Sequence, residues 1–227
     1  MNRLLEDIEN IKSLKDIEKI RNTEYTIEEQ LEAVKQIGYN IQYIKNPSKE
    51  VQLKAVKQIG YNIEYIKNPS KEVQLEAVKR HVNSIEFIQN PDKDVQLTAV
   101  NISSYAIQCI KNPTKEAQLK AVKNNPYTIK YIDNPDKDVQ LEAVKENPFT
   151  IKHIKKPYKE VQLESVKQNG NIIRFINNPD KDVQMTAVEQ NLNAIRFIKN
   201  PDDEILSVAI ARKNQILQNI LERHSKN

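Results

Sequence analysis

The chain of 227 residues contains no tryptophan, three glycines, three histidines and one cysteine. Each scarcity removes a class of function. With a single thiol, Cys109, no internal disulfide framework can form, and the sequence suits a reducing compartment, so a cytoplasmic location is expected. Three glycines are too few to build a Gly-rich phosphate loop in its usual form. His81, His153 and His224 are scattered, whereas a zinc site needs four ligands converging on one point, so neither metal nor cofactor is expected. No stretch approaches the roughly 18 apolar residues of a membrane span. Glu6 and Asp7 also stand where a signal peptide would carry its apolar run, so no membrane association is expected. Hydrophobic residues make up 38% of the chain and aromatics 6%, against 29% charged residues, which is a thin supply for one globular core. The formal charge of +4 permits acidic partners without demanding nucleic acid.

What the chain has instead is a period. Pro47, Pro69, Pro91, Pro113, Pro135, Pro157, Pro179 and Pro201 follow one another at intervals of 22 residues, and the text around them recurs. The unit reads Asn-Pro-(Ser/Asp/Thr)-Lys-(Glu/Asp)-Val-Gln-Leu-x-Ala-Val, then a turn, then Ile-x-aromatic-Ile, and a copy without its proline lies around Thr26–Val34. That gives about nine repeats of two helices each, in which every unit buries its apolar face on its neighbours. The array is expected over residues 25–201. Residues 1–24, with Leu4, Leu5, Ile8, Ile11, Leu14, Ile17 and Ile20 at helical spacing, form an N-terminal helical cap. Residues 202–227, with Ile205, Ile210, Ile216 and Ile220, form a C-terminal repeat and cap.

Within a unit, the residue after proline (Ser48, Ser70, Asp92, Thr114, Asp136, Asp180, Asp202) can cap a helix start, and the next acid (Glu50 and its equivalents) suits the first turn of a helix. The long helix should stop at the column Gly38, Gly60, Pro126, Pro148, Gly170, where glycine accepts the left-handed conformation and proline cannot continue. Val51, Gln52, Leu53, Ala55 and Val56 project onto an arc of about 200°, wide enough for contacts on three sides. The second helix, Ile63–Ile66 and its equivalents, is a short α or 3₁₀ turn. Gln52, Gln74, Gln96, Gln118, Gln140, Gln162 and Gln184 fall inside the buried arc, and an unpaired buried carboxamide costs about 1–3 kcal/mol. A structural ladder is therefore expected, each Gln bonding the loop backbone or the Asn-Pro asparagine of an adjacent repeat.

The Asn/Asp-Pro start and the acid-Val-x-Leu-x-Ala-Val helix resemble the leucine-rich repeat variant. That resemblance implies an all-α, right-handed α-solenoid alternating an α-helix with a 3₁₀ helix. Gln162–Gly170 is similar to helical repeats of unassigned function in bacterial, phage and giant-virus proteins. The likeness covers residues 25–221 and speaks to architecture, since repeat scaffolds of one kind bind many things. The cysteine cluster that binds iron and sulfur in the variant family has no counterpart here, so no such cofactor carries over.

No catalytic constellation is expected. Cys109 and His153 occupy the short-helix column otherwise held by Tyr43, Tyr65, Phe87, Tyr131, Phe175 and Phe197, and two repeats should separate them by on the order of 20 Å. Glu50, Glu72, Asp94, Glu116, Asp138, Glu160, Asp182 and Glu204 are one repeated helix-start acid. Candidate binding residues lie in two variable columns. One reads Gln42, Glu64, Glu86, Gln108, Lys130, Lys152, Arg174, Arg196 and turns basic along the chain, which suits the acidic surface of another protein. The other contributes Tyr39, Tyr61, Tyr105, Tyr127 and Phe149 as interface anchors or as loop covers. A protein-binding scaffold or inhibitor is the favoured reading. Repeats this alike suggest recent expansion, as in phage or bacterial proteins that block or tether a host or defence component. Single-stranded nucleic-acid binding is the alternative, opposed by the regular acid row, and a helical-repeat DNA-repair enzyme is a minor one. If the ladder is structural, Gln118→Leu should lower the melting temperature without changing partner choice; an intact melting temperature with lost binding would reverse the assignment.

Overall fold

A computed structural model describes residues 2–224, the last by its backbone alone; the side chain of His224 and residues 225–227 lie outside the described residues. All described secondary structure is helical, and the architecture is an all-α helical-repeat solenoid. The chain divides into two units, residues 1–120 and 121–227. The first begins with α1 (Arg3–Glu9) and α2 (Leu14–Asn22), followed by α3 (Ile27–Gln36), α4 (Lys49–Gln58), α5 (Lys71–Arg80) and α6 (Lys93–Ile102). Each of these last four is followed by a 3₁₀ helix, η1 (Gly38–Tyr43), η2 (Gly60–Tyr65), η3 (Val82–Phe87) and η4 (Ser104–Cys109). Helix α7 (Lys115–Asn124) crosses the division. The second unit continues with η5 (Pro126–Tyr131), α8 (Lys137–Glu146), η6 (Pro148–His153), α9 (Lys159–Gln168), η7 (Gly170–Phe175), α10 (Lys181–Gln190), η8 (Leu192–Phe197) and α11 (Asp203–His224).

The short helix is 3₁₀ throughout, six residues long, and its form follows from what it must bury. Ile63 and Ile66 sit three apart, and three residues per turn place them on one side, both buried. The α-helix contributes Val51, Ala55 and Val56, all fully buried, while Leu53 and Gln52 are half-buried. The buried arc is thus narrower than the sequence suggests. Alanine at the centre lets neighbouring helices approach closely, and after α3, α4 and α5 its carbonyl is taken by a buried polar side chain of the following 3₁₀ helix. Asn40 Nδ2 donates to Ala33 O at 2.9 Å, Asn62 Nδ2 to Ala55 O at 3.0 Å and Ser84 Oγ to Ala77 O at 2.9 Å.

The glycine column works differently from expectation. No described glycine has a positive φ; the left-handed positions are Asn68, Asn134, Asn178 and Asn200, before proline, with φ of 49–52°. Asparagine tolerates that region because its short polar side chain can bond locally. The long helix ends on an extended residue such as Ile59 (φ −141°), and Gly60 opens the 3₁₀ helix. Glycine stands there for space. A Cβ on Gly60 would lie 2.4 Å from Ala77 O, and one on Gly170 2.2 Å from Ala187 O, both in the next repeat. The glycine N–H is also given to that repeat: Gly38 to Gln58 Oε1 at 2.8 Å, Gly60 to His81 Nδ1 at 3.0 Å and Gly170 to Gln190 Oε1 at 2.6 Å. Pro126 and Pro148, at the same position, have no N–H to satisfy.

Three further ties join consecutive repeats. The helix glutamine donates to the proline carbonyl of its own repeat, at 2.9 Å for Gln52, Gln74 and Gln140, 3.0 Å for Gln96, Gln118 and Gln162 and 2.7 Å for Gln184. Its Oε1 accepts from the next loop: Thr114 N to Gln96 at 2.8 Å, Tyr158 N to Gln140 at 3.3 Å and Asp92 N to Gln74 at 3.4 Å. The main donated bond thus stays within the repeat and the accepted one crosses; at Gln140 the Nε2 also reaches Lys156 O of the next loop at 3.5 Å. At the other helix end, Gln58 Nε2 caps Val34 O at 2.6 Å and Gln168 Nε2 caps Val144 O at 3.0 Å. Along the surface, helix-start lysines pair with the acid of the following helix, as in Lys49–Glu72, Lys93–Glu116 (2.6 Å), Lys137–Glu160 (3.3 Å) and Lys159–Asp182 (2.5 Å). These pairs are about half exposed, so they set register more than they stabilise.

The ends are less buried than their apolar spacing implies. Of the N-terminal residues only Leu4 and Ile20 are buried, and Leu14 is 84% exposed, because two short helices with a turn between them replace one continuous face. In α11, Ile205 is buried while Ile210, Ile216 and Ile220 are exposed. For Ile216 and Ile220 the cause is length: α11 has 22 residues and its neighbour α10 has 10, so its second half runs beyond that helix.

The helix starts are capped as expected by Asp136 (3.1 Å to Val139 N) and Asp202 (2.9 Å to Ile205 N), and more loosely by Ser48, Ser70 and Thr114. Asp180 makes no cap bond and instead pairs with Lys159 at 3.7 Å. At α9 the cap position holds Tyr158, which has no oxygen in reach of the helix N–H groups. Tyr158→Ser should therefore stabilise the protein by about 1 kcal/mol, raising the melting temperature by about 2–4 °C; a lower melting temperature in a calorimetric scan would mean that the exposed ring contributes packing that the cap cannot replace.

Candidate functional site

In a 3₁₀ helix, residues three apart eclipse one another. The two variable columns of the sequence are three apart, so η5 carries Tyr127 beside Lys130 and η6 carries Phe149 beside Lys152, all four exposed. The 3₁₀ form therefore merges both columns into one face. In the first unit the corresponding positions of the 3₁₀ helices hold Tyr39 beside Gln42 and Tyr61 beside Glu64, and Tyr105 beside Gln108. The charged column is acidic or neutral there and basic in the second unit, where Arg174 and Arg196 continue it.

The rings on this face are both exposed and in contact. Tyr39 meets Tyr65 edge-on at 5.2 Å and 85°, with Tyr65 Oη donating to Tyr39 Oη at 3.2 Å. That hydrogen bond, burial and the nearby Glu64 push the Tyr65 phenol up to about 12. Tyr61 meets Phe87 at 6.2 Å and 87° and stacks on His81 at 4.9 Å. In the second unit Tyr127 meets His153 at 6.2 Å and 76°, and Phe149 meets Phe175 at 6.4 Å and 68°. Two residues of the basic column lie over rings of the short helices: Lys130 Nζ is 4.7 Å from the Tyr131 centroid, and Arg174 Cζ is 4.7 Å from Phe175 and 5.8 Å from Phe197. Tyr127 Oη accepts from Asn147 Nδ2 at 3.0 Å. Tyr39, Tyr61, Tyr127 and Phe149 thus touch a ring of the next repeat and are exposed at the same time.

His81, His153 and Cys109 belong to the short-helix surface. His81 accepts the Gly60 N–H and stacks on Tyr61. Burial pushes the half-buried Cys109 thiol up, and Glu86 adds to the effect. Burial holds His153 below the ordinary histidine value, with Lys152 and Lys130 acting in the same direction. Among the described residues no group of three or more His, Cys, Asp or Glu side chains is placed to hold a metal ion.

Between successive loops, on the side where the 3₁₀ helices end, lie grooves floored by isoleucine, proline and the ladder glutamine. One, of about 580 Å³, is lined by Glu64, Lys67, Gln74 and Phe87. Another, of about 460 Å³, carries Arg21, Lys45 and Lys67; Arg21 is bonded to Gln42 O and Lys45 to Asn22 Oδ1. The third, of about 560 Å³, lies in the second unit between the loops after η5 and η6 and is lined by Lys130, Asp133, His153, Lys155, Lys156 and Tyr158. The sequence columns did not bring out this groove. Its signal was the one loop that reads Lys-Pro-Tyr where the other repeats read Asn-Pro-(Ser/Asp/Thr).

Residues 114–201 are similar to a family described as a domain of unknown function (DUF4116), matched over 114–159, 136–178 and 158–201. The matches begin one repeat apart. The likeness covers the array around the basic face and is a likeness of repeats. No curated protein and no solved structure matches the chain. No described helix is long and apolar enough to cross a membrane.

The electrostatics of the face can be read at His153. Its imidazole should titrate below 6.5 by NMR, and Lys130→Gln with Lys152→Gln should move it part of the way back up, since removing a cation favours the imidazolium while burial remains. An ordinary value in the wild-type protein would show that the ring is not held against Tyr127.

Proposed function

We propose that the protein is a protein-binding helical-repeat scaffold whose second unit docks an acidic surface through Lys130, Lys152, Arg174 and Arg196 set among Tyr127, Phe149 and Phe175. The observation that carries this reading is the packing of the rings. Tyr127 and Phe149 each meet a ring of the next repeat edge to face, while Phe175 lies under Arg174 and the neighbouring Tyr131 under Lys130, so the faces of Phe175 and Tyr131 are already covered by cations. A ring that stacks a nucleobase needs an open face. Carboxylates on a protein surface, by contrast, can meet the outer side of the same lysines and arginines while apolar groups rest on the ring edges.

The finer identity belongs to the same proposal. Likeness to the leucine-rich repeat variant and to phage and giant-virus repeats supports a cytoplasmic protein, of phage or bacterial origin, that blocks or tethers a host or defence component. No enzymatic role, metal or cofactor is part of this reading. Single-stranded nucleic acid is the competing occupant, because the basic column would also attract phosphates.

A crosslinking pull-down from native lysate, with and without nuclease, should recover a nuclease-resistant protein with the wild type and lose it with Lys130→Glu, Lys152→Glu, Arg174→Glu and Arg196→Glu combined. Recovery that disappears on nuclease treatment and falls steeply with salt would replace the proposal by nucleic-acid binding.

A further inference from the structure

The groove between the loops after η5 and η6 breaks the rules that the other repeats follow. Where the other repeats carry asparagine before proline the chain has Lys156, which has no positive φ, and at the cap position it has Tyr158, leaving α9 without a side-chain cap. Neither change improves the fold. Both point chemistry into one place, where Lys155 adds a second consecutive lysine and Lys130 closes the far side. Positions that break a local rule without a compensating contact are where function is to be sought.

The charge of this groove is also unspent. Three lysines face a single carboxylate, Asp133. Among the described residues, neither Lys155 nor Lys156 forms an ion pair, unlike the helix-start lysines Lys137 and Lys159 that flank the groove in sequence. In the groove of similar build around Lys45, two of the three cations are bonded to the protein itself, and the one around Glu64 contains an acid of its own. Beneath the lysines the floor is apolar, with Ile132 and Ile154 buried and the Gln140 carboxamide fixed by Pro135 O at 2.9 Å and by the Tyr158 N–H at 3.3 Å. A cationic rim over an apolar floor, with an exposed phenol at its edge, fits an extended chain that alternates the two chemistries.

We infer that this groove is the anchoring subsite for an extended acidic peptide segment of the partner, in which an apolar side chain rests on the Ile132–Ile154 floor and flanking carboxylates meet Lys130, Lys155 and Lys156. The inference rests on the protein-docking reading above and narrows it to one pair of loops. The phenol of Tyr158 supplies a further donor at the rim, which accounts for a tyrosine where a capping residue would serve the helix better.

The test uses the full chain and a random peptide library displayed on phage. Recovered peptides should share acidic residues beside an apolar one. Synthetic fluorescent copies, followed by polarisation, should bind the double variant Lys156→Asn/Tyr158→Ser roughly tenfold or more weakly than the wild type. That variant returns both positions to residues other repeats carry, so its melting temperature should be unchanged or raised, and lost binding cannot then be laid to unfolding. Acidic peptides that bind the double variant as tightly as the wild type, but are lost on Lys152→Glu/Arg174→Glu, would overturn the groove and leave the docking face standing. Recovery of neutral or basic peptides, or of no shared pattern, would overturn both.

Discussion

A glutamine carboxamide in the long helix holds two loops at once. Its amide nitrogen fixes the proline carbonyl at the start of its own helix, and, as at Gln96, its oxygen receives the N–H at the start of the next. A proline opens the loop because it has no N–H to leave unsatisfied, yet its carbonyl still needs a partner in a partly buried place. The carboxamide has one donor end and one acceptor end, and the loop geometry asks for one of each. A hydroxyl or a carboxylate could not span both. At Gln74, Gln96 and Gln140 this bonding fixes the separation of successive loops, and with it the spacing at which the 3₁₀ helices there display their side chains.

Much of this was written openly in the chain. The prolines gave the period, and the valines, alanine and isoleucines gave the buried side, because burial on both neighbours demands the same residue in every copy. Glycine was misread for a definable reason. At the end of a helix it can mean a left-handed turn or a close contact, and only the position of the next repeat separates the two; the left-handed residue turned out to be the asparagine before proline. The apolar residues of α11 likewise read as a buried face, since periodicity reports amphipathicity and not whether a neighbour is long enough to cover it. The two surface columns were visible as columns, but their union on one edge depends on the 3₁₀ geometry, which the sequence left undecided against an α turn.

The basic groove was hardest to see because it is an exception. A repeated sequence draws attention to what recurs, and Lys156 and Tyr158 are departures that periodic reading passes over as noise. Against a uniform frame such departures carry information. The other loops show what most repeats carry at those positions, and it is against them that Lys156 and Tyr158 stand out. Gln42 and Arg196 likewise hold equivalent positions, each in its own repeat.

Every tie described between neighbouring repeats also has a kinetic meaning. The Gln96–Thr114 bond spans 18 residues and the Tyr39–Tyr65 contact 26, and the ion pairs, glycine bonds and helix-end caps fall between them. Within each unit, no stage of assembly has to wait for a distant segment, so loop-closure entropy stays small and nearly constant from one repeat to the next. Folding can begin at any pair of repeats and spread by zippering. During synthesis, each new helix has its docking surface already in place on the repeat that left the ribosome just before it.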